Sequence, residues 1–75
     1  MDKEKKIKLS SEDVKEFVRT AEQCDFDIDV FYNRVIIDAK SILGVLSLDL
    51  TKVLTVKYAG KDNRFEQMLQ KYCVA

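Results

Sequence analysis

The chain has 75 residues, of which 47% are apolar and 35% charged; its 13 basic and 13 acidic residues balance, and it has no histidine. A chain this short forms a single domain with a thin core, because it buries only about 60% of the surface that its unfolded form exposes. The balanced charge argues against nucleic-acid binding, and no apolar run reaches the roughly 20 residues that span a bilayer. We therefore expect one cytoplasmic domain over residues 1–75, without a nucleic-acid or membrane partner.

The first half of the chain predicts a strand, a helix and a hairpin. Ile7 and Leu9 alternate with polar neighbours, which is typical of a half-buried strand. A helix is expected to begin at Ser10 or Ser11. Its apolar stripe consists of Val14, Phe17, Val18 and Ala21. From residue 25 the apolar period changes to two, and Asn33-Arg34 is expected to turn this strand into a second one over residues 35–38.

The second half begins with an unusually apolar segment, Ser41–Leu48, for which we expect a short helix with Ser41 as its N-cap. Because this helix is apolar almost all round, part of it is expected to stay outside the core as a docking patch. Residues 53–59 alternate as a strand. Asn63, followed by Glu66 three residues later, predicts the start of a last helix. Its apolar stripe consists of Phe65, Met68, Leu69, Tyr72 and Cys73.

The predicted order is therefore β-α-β-β-α-β-α. Each strand has one apolar face, and there are enough helices to cover one side of a sheet. These patterns predict an α+β fold with a four-stranded antiparallel sheet whose helices pack on a single face.

Three carboxylates, Asp25, Asp27 and Asp29, alternate and so are expected to share one face of a strand. Their spacing resembles the start of a calcium loop, but Val30 and Ile36 stand where that loop needs Gly and Glu. We therefore expect no metal site but a solvated sheet face. The cation expected opposite the acids is Lys6, Lys8 or Lys57.

Other candidate chemistry is weak. Cys24 and Cys73 are interpreted as two reduced, packed thiols, since neither has a Cys-x-x-Cys partner. The N-terminal lysines are expected to protect an edge strand from mispairing. There is no Gly-rich phosphate loop, so the sequence predicts no cofactor and no catalytic residues, and the protein is predicted not to be an enzyme.

The segment Lys40-Ser41-Ile42-Leu43-Gly44-Val45-Leu46-Ser47-Leu48 closely resembles the signature Lys-Ser-Ile-Met-Gly-Val-Met-Ser-Leu of HPr, the phosphocarrier of the bacterial sugar phosphotransferase system. The resemblance extends from about Thr20 to Tyr72. It implies an open-faced β-sandwich with three helices on one side of the sheet. HPr carries phosphate on a histidine in a Gly-x-His-Ala-Arg-Pro loop between its first strand and first helix. Here Ser10-Ser11-Glu12-Asp13 stands in that place, so we expect no phosphohistidine chemistry.

The resemblance also implies a regulatory site. Ser41 matches the serine that a dedicated kinase phosphorylates in HPr of many Gram-positive bacteria, and Ile42, Leu43 and Leu46 match the apolar patch that binds protein partners. The expected partners are a serine kinase or a transcriptional regulator. Asp49 departs from the family's usual Gly and adds negative charge nearby. Two alternatives stay open: a phosphocarrier-type protein whose transfer activity has decayed, and a purely structural module in which the signature survives because it packs.

Overall fold

A computed structural model describes residues 2–74. The elements in chain order are β1 Lys3–Ile7, α1 Val14–Glu22, β2 Ile28–Tyr32, β3 Val35–Asp38, α2 Ile42–Leu46, β4 Leu54–Tyr58 and α3 Asn63–Tyr72. All strand pairs are antiparallel, and the strands form one sheet in the order β1-β4-β2-β3. The predicted α+β class and element order are confirmed.

The core lies between the sheet and the helices. In β4, Leu54, Val56 and Tyr58 are buried, whereas Thr55 and Lys57 face the open side of the sheet and are half-buried. The predicted stripe of α1 is fully used, since its four apolar residues are all buried. From α3, Phe65 adds a ring that packs edge-on against Tyr58, with centroids 5.1 Å apart. These apolar faces hold the helices on one side of the sheet.

The β2–β3 hairpin forms where the sequence predicts it. Tyr32 pairs with Val35, which leaves Asn33 and Arg34 as the turn. Asn33 has φ 54°, in the left-handed region that asparagine tolerates better than most residues.

The N-terminal ends of the two long helices differ from the prediction: α1 begins later than expected, and α3 begins at Asn63 but has a different N-cap. The Ser10 N–H and hydroxyl both donate to the Asp13 carboxylate at 2.9 Å, which closes a turn and delays the start of α1 to Val14. These hydrogen bonds lower the pKa of Asp13. The N-cap of α3 is Asp62 rather than Asn63: its carboxylate accepts from the Phe65 N–H at 2.9 Å.

The prediction that Cys73 is packed is wrong. Helix α3 ends at Tyr72, and Cys73 is extended, with φ −66° and ψ 133°. There it forms an isolated antiparallel bridge with Ile7, which takes its thiol off the apolar stripe and leaves it exposed. Cys24, by contrast, is buried as predicted, and burial raises the pKa of its thiol.

Two strands are displaced from their predicted bounds. β1 ends at Ile7, so Leu9 is buried outside the strand. β2 begins only at Ile28, so Asp25 and Asp27 lie in the preceding connection and do not share a strand face with Asp29. Between residues 2 and 74 no helix has the length and apolar character needed to cross a membrane.

Candidate functional site

Ser41 is the N-cap of α2, as predicted. Its backbone is extended, with φ −103° and ψ 107°, and its hydroxyl oxygen accepts from the Gly44 N–H at 3.2 Å. Its own N–H donates to the Asp38 carbonyl at 3.0 Å, which anchors the start of the helix to the end of β3. The side chain is nevertheless exposed, so its hydroxyl is open to solvent next to the helix.

The α2 helix is shorter than the predicted eight residues, and its side chains divide between two faces. It spans only Ile42–Leu46, because Ser47 ends it. Val45 is fully buried, and Leu48 beyond the helix is nearly so. Leu43 is 79% exposed, and Ile42 and Leu46 are each 43% exposed. We call these three residues the α2 surface. Leu46 follows Leu43 by three positions and Ile42 by four, which places the three side chains on one side of the helix.

Gly44 sets the distance between α2 and the sheet. A Cβ at this position would lie 2.7 Å from the Ile37 Cγ2 on β3, closer than carbon atoms pack. The absence of a side chain therefore lets the helix sit directly on β3. Glycine inside a helix was the available sequence signal for such a contact, although the sequence reasoning assigned no role to Gly44.

Lys40 fastens the segment before α2 to the rest of the fold. Its N–H donates to the Asp38 carboxylate, and its ammonium group donates to the Cys24 carbonyl at the end of α1, each at 2.9 Å. The sequence reasoning missed this role of Lys40, because a contact sixteen residues away leaves no local pattern.

Asp49 contributes a negative charge in the connection that follows α2. Its carboxylate accepts from the Thr51 hydroxyl at 2.6 Å and the Thr51 N–H at 3.1 Å. These hydrogen bonds lower the pKa of Asp49, so the group is ionised at neutral pH.

The connection between β1 and α1 is short and runs from Lys8 to Asp13. It contains the turn between Ser10 and Asp13, with the Glu12 side chain exposed beside it. The chain has no histidine, and the connection has no cation after Lys8.

The acidic residues do not form a metal site. In residues 2–74 no group of three or more potential ligands comes together. Asp29 pairs instead with Lys57 on β4, as predicted, and the Lys57 ammonium lies 5.1 Å from the centre of the Phe31 ring. Of the three alternatives it is therefore Lys57 that opposes an acid, since Lys6 pairs with Thr55 and Lys8 lies beyond β1.

A polar groove of about 430 Å³ lies between α1 and α3. At its rim the Glu16 carboxylate accepts from the Lys71 ammonium at 2.6 Å and from the Tyr72 hydroxyl. These contacts lower the pKa of Glu16. Burial, and next the hydrogen bond to Glu16, raise the pKa of Tyr72 to about 12. The ion pair between Glu16 and Lys71 links the two helices at this groove. Among the residues that line the groove, these contacts activate no nucleophile.

Comparison with known proteins assigns the family. The family model described as the PTS HPr component phosphorylation site matches residues 5–71. The chain belongs to the HPr family. Members of this family are phosphocarriers, which interact with protein partners. A search of curated proteins finds no match.

Solved structures share the fold. The phosphocarrier HPr of Bacillus anthracis is 22% identical with TM-score 0.71, covering 96% of this chain and 95% of that one. An HPr from Thermoanaerobacter tengcongensis is 24% identical with TM-score 0.72, covering 95% and 88%. Crh, a catabolite repression protein of Bacillus subtilis described as a swapped dimer, is 22% identical with TM-score 0.64, covering 93% and 88%. The open-faced HPr fold is thereby confirmed.

Proposed function

We propose that this chain is a cytoplasmic, non-catalytic regulatory member of the HPr family. It binds a protein partner through the α2 surface, and phosphorylation of Ser41 controls that binding. The observation that carries the proposal is the exposure of Leu43, with Ile42 and Leu46 beside it, on the helix that Ser41 caps. The domain for this function spans residues 1–75.

An exposed apolar surface on α2 favours docking over a purely structural role. In this segment Val45 and Leu48 belong to the buried core, whereas the three side chains of the α2 surface do not. Removing a leucine side chain from water contributes about 1.5–3 kcal/mol. Leu43 gains almost none of this in the isolated domain, so its contribution is available to a partner.

Phosphorylation of Ser41 adds about two negative charges beside the α2 surface. Asp38 and Asp49 are acidic neighbours in the chain, and the ammonium of Lys40 is already bound to the Cys24 carbonyl. The phosphoserine therefore needs cations from outside the domain. A regulator suited to this surface has an apolar pocket for Leu43 next to arginine or lysine side chains.

Transfer of phosphate through histidine is not part of the proposed function. That chemistry needs an imidazole nitrogen as nucleophile, and the chain has none. In the connection before α1, Glu12 and Asp13 would repel a phosphoryl group. The alternative of a phosphocarrier-type protein whose transfer activity has decayed shares this loss, and only the docking function of α2 separates it from the proposal.

The proposal is tested by calorimetric titration of this protein with a transcriptional regulator that binds HPr-family proteins in their phosphoserine form. We expect the Ser41-phosphorylated protein to bind and both the unmodified protein and Ser41→Asn to bind at least tenfold more weakly. Phosphorylated Leu43→Glu is expected to lose binding. Phosphorylated Val53→Glu, a matched change at an exposed apolar residue outside α2, is expected to keep it. Equal losses in both glutamate variants would contradict docking through α2.

A further inference from the structure

The two edge strands of the sheet, β1 and β3, differ in whether their outer backbone groups are covered by other residues. The outer edge of β1 is covered by the residues after α3: the Lys8 N–H donates to the Tyr72 carbonyl at 3.0 Å, and the Val74 N–H donates to the Lys6 carbonyl at 2.8 Å. Lysines on β1 protect it further. The outer edge of β3 has no strand paired with it within residues 2–74. Its sequence is Val35-Ile36-Ile37-Asp38, with no lysine and no proline.

The backbone groups of β3 that point away from β2 belong to Ile36 and Asp38, and the Asp38 carbonyl is already bound by the Ser41 N–H. The Ala39 N–H donates inward to the Ile28 carbonyl of β2 at 2.9 Å. Since polar groups alternate along an antiparallel strand, those of Ile37 and Val35 also point to β2, and those of Ile36 point away. The Asp38 carbonyl agrees with this, because it accepts from Ser41 rather than from β2. Ile36 is also 60% exposed on the open face.

The charges that flank Ile36 are self-complementary. Arg34 lies two residues before Ile36, in the turn that leads into β3, and Asp38 lies two residues after it, at the end of β3. Both are exposed, and Arg34 makes no ion pair with any residue from 2 to 74. Asp38 lies opposite Asp29 on β2, a like-charge pair that a cation on its free side would relieve.

We propose that β3 pairs antiparallel with β3 of a second copy of this chain, on a two-fold axis through Ile36. The two Ile36 residues then exchange backbone hydrogen bonds at the axis. Arg34 of each copy faces Asp38 of the other, so opposite charges meet at both ends of the pair. Val35 of each copy faces Ile37 of the other on the helix side, which covers apolar surface left exposed in the single chain. The product is one continuous eight-stranded sheet.

This pairing is weak because each copy contributes only one short strand. Interfaces well below about 1,200 Å² form transient complexes, so we expect association near millimolar concentration. The pairing uses neither the Ser41 side chain nor the side chains of the α2 surface.

Sedimentation equilibrium up to about 1 mM protein tests the pairing. The wild type is expected to show a monomer–dimer equilibrium. Arg34→Glu places like charges at both ends and is expected to weaken it by about tenfold. Asp38→Arg also places like charges at both ends, positive rather than negative, and is expected to weaken the dimer to a similar extent. An equimolar mixture of the two variants restores attraction at both ends and is expected to regain wild-type affinity as a heterodimer.

Arg64→Glu on α3 is the control, because it changes net charge equally without touching β3. Arg34 lies in an exposed turn, so its variant keeps the test valid even if Asp38→Arg unfolds. A concentration-dependent shift of the Ile36 amide resonance is the second readout. A wild type that stays monomeric at 1 mM, or a dimer that responds equally to Arg34→Glu and Arg64→Glu, would overturn the proposal.

Discussion

Gly44 of α2 lies so close to Ile37 of β3 that a Cβ on the glycine would come within 2.7 Å of the isoleucine Cγ2. The same Cβ would lie 3.1 Å from the Ser41 oxygen. Because Gly44 has no side chain, α2 can lie directly on the sheet, and the Ser41 hydroxyl stays close enough to accept the capping hydrogen bond from the Gly44 N–H. The orientation of the α2 surface depends on this contact.

Gly44→Ala is therefore expected to destabilise the domain, although alanine is the better helix former. Overpacking costs about 1–3 kcal/mol, against a gain in helix propensity of about 1 kcal/mol. The Ile37 Cγ2 is fixed to a branched carbon and cannot swing away freely. Urea unfolding measures the change. In an Ile37→Ala background the cost should largely vanish; an equal cost in both backgrounds would show that this contact is not its cause.

Two glutamate substitutions, at Leu43 and at Val45, distinguish a docking role of an α2 residue from a packing role. Leu43→Glu is expected to change the free energy of unfolding by no more than about 0.5 kcal/mol, because the side chain already faces water. Val45→Glu puts an unpaired charge into the core and is expected to cost about 3–5 kcal/mol. Thermal unfolding compares them. A large loss for Leu43→Glu would favour the structural module.

Tyr72 is expected to make stability fall at alkaline pH. Its pKa is raised to about 12 by burial and Glu16, whereas the unfolded side chain titrates near pH 10. Its contribution is therefore complete below about pH 10 and is lost as the pH rises through about 10 to 12. Tyr72→Phe removes this part of the pH dependence. Urea unfolding across that pH range compares Tyr72→Phe with Tyr32→Phe on β2. The same slope of unfolding free energy against pH in both variants would contradict the contact between Tyr72 and Glu16.

The two thiols are expected to react at very different rates. Cys73 is exposed, whereas Cys24 is buried and burial raises the pKa of its thiol. A disulfide reagent at pH 8 should modify one thiol per native chain at once and the second only on unfolding. Cys73→Ser should remove the fast phase, and Cys24→Ser should leave it; the reverse pattern would place Cys73 in the core.

Local sequence patterns predicted the elements, the hairpin turn and the cap of α2, because each depends on neighbouring residues. The failures come from longer-range or competing interactions. Ser10 and Asp13 satisfy each other in a turn and so postpone α1, although either Ser10 or Ser11 is a suitable cap. Cys73 leaves its helix to pair with Ile7 at the other end of the chain.

For the candidate site, the sequence predicts residues but not their arrangement. The resemblance identified Ser41 and the three apolar side chains. The seating of Gly44 on Ile37 and the bond from Lys40 to Cys24 were not predicted, since both require the sheet and α1 to be in place. The open edge of β3 likewise follows only from the strand order.

Mass spectrometry after two separate incubations tests the regulatory function most directly. With the HPr serine kinase and ATP, we predict one phosphoryl group, located on Ser41 and absent in Ser41→Asn. With enzyme I and phosphoenolpyruvate, we predict none. An unmodified Ser41 in the first incubation would contradict the phosphorylation switch, and phosphate on the chain in the second would contradict a purely regulatory role.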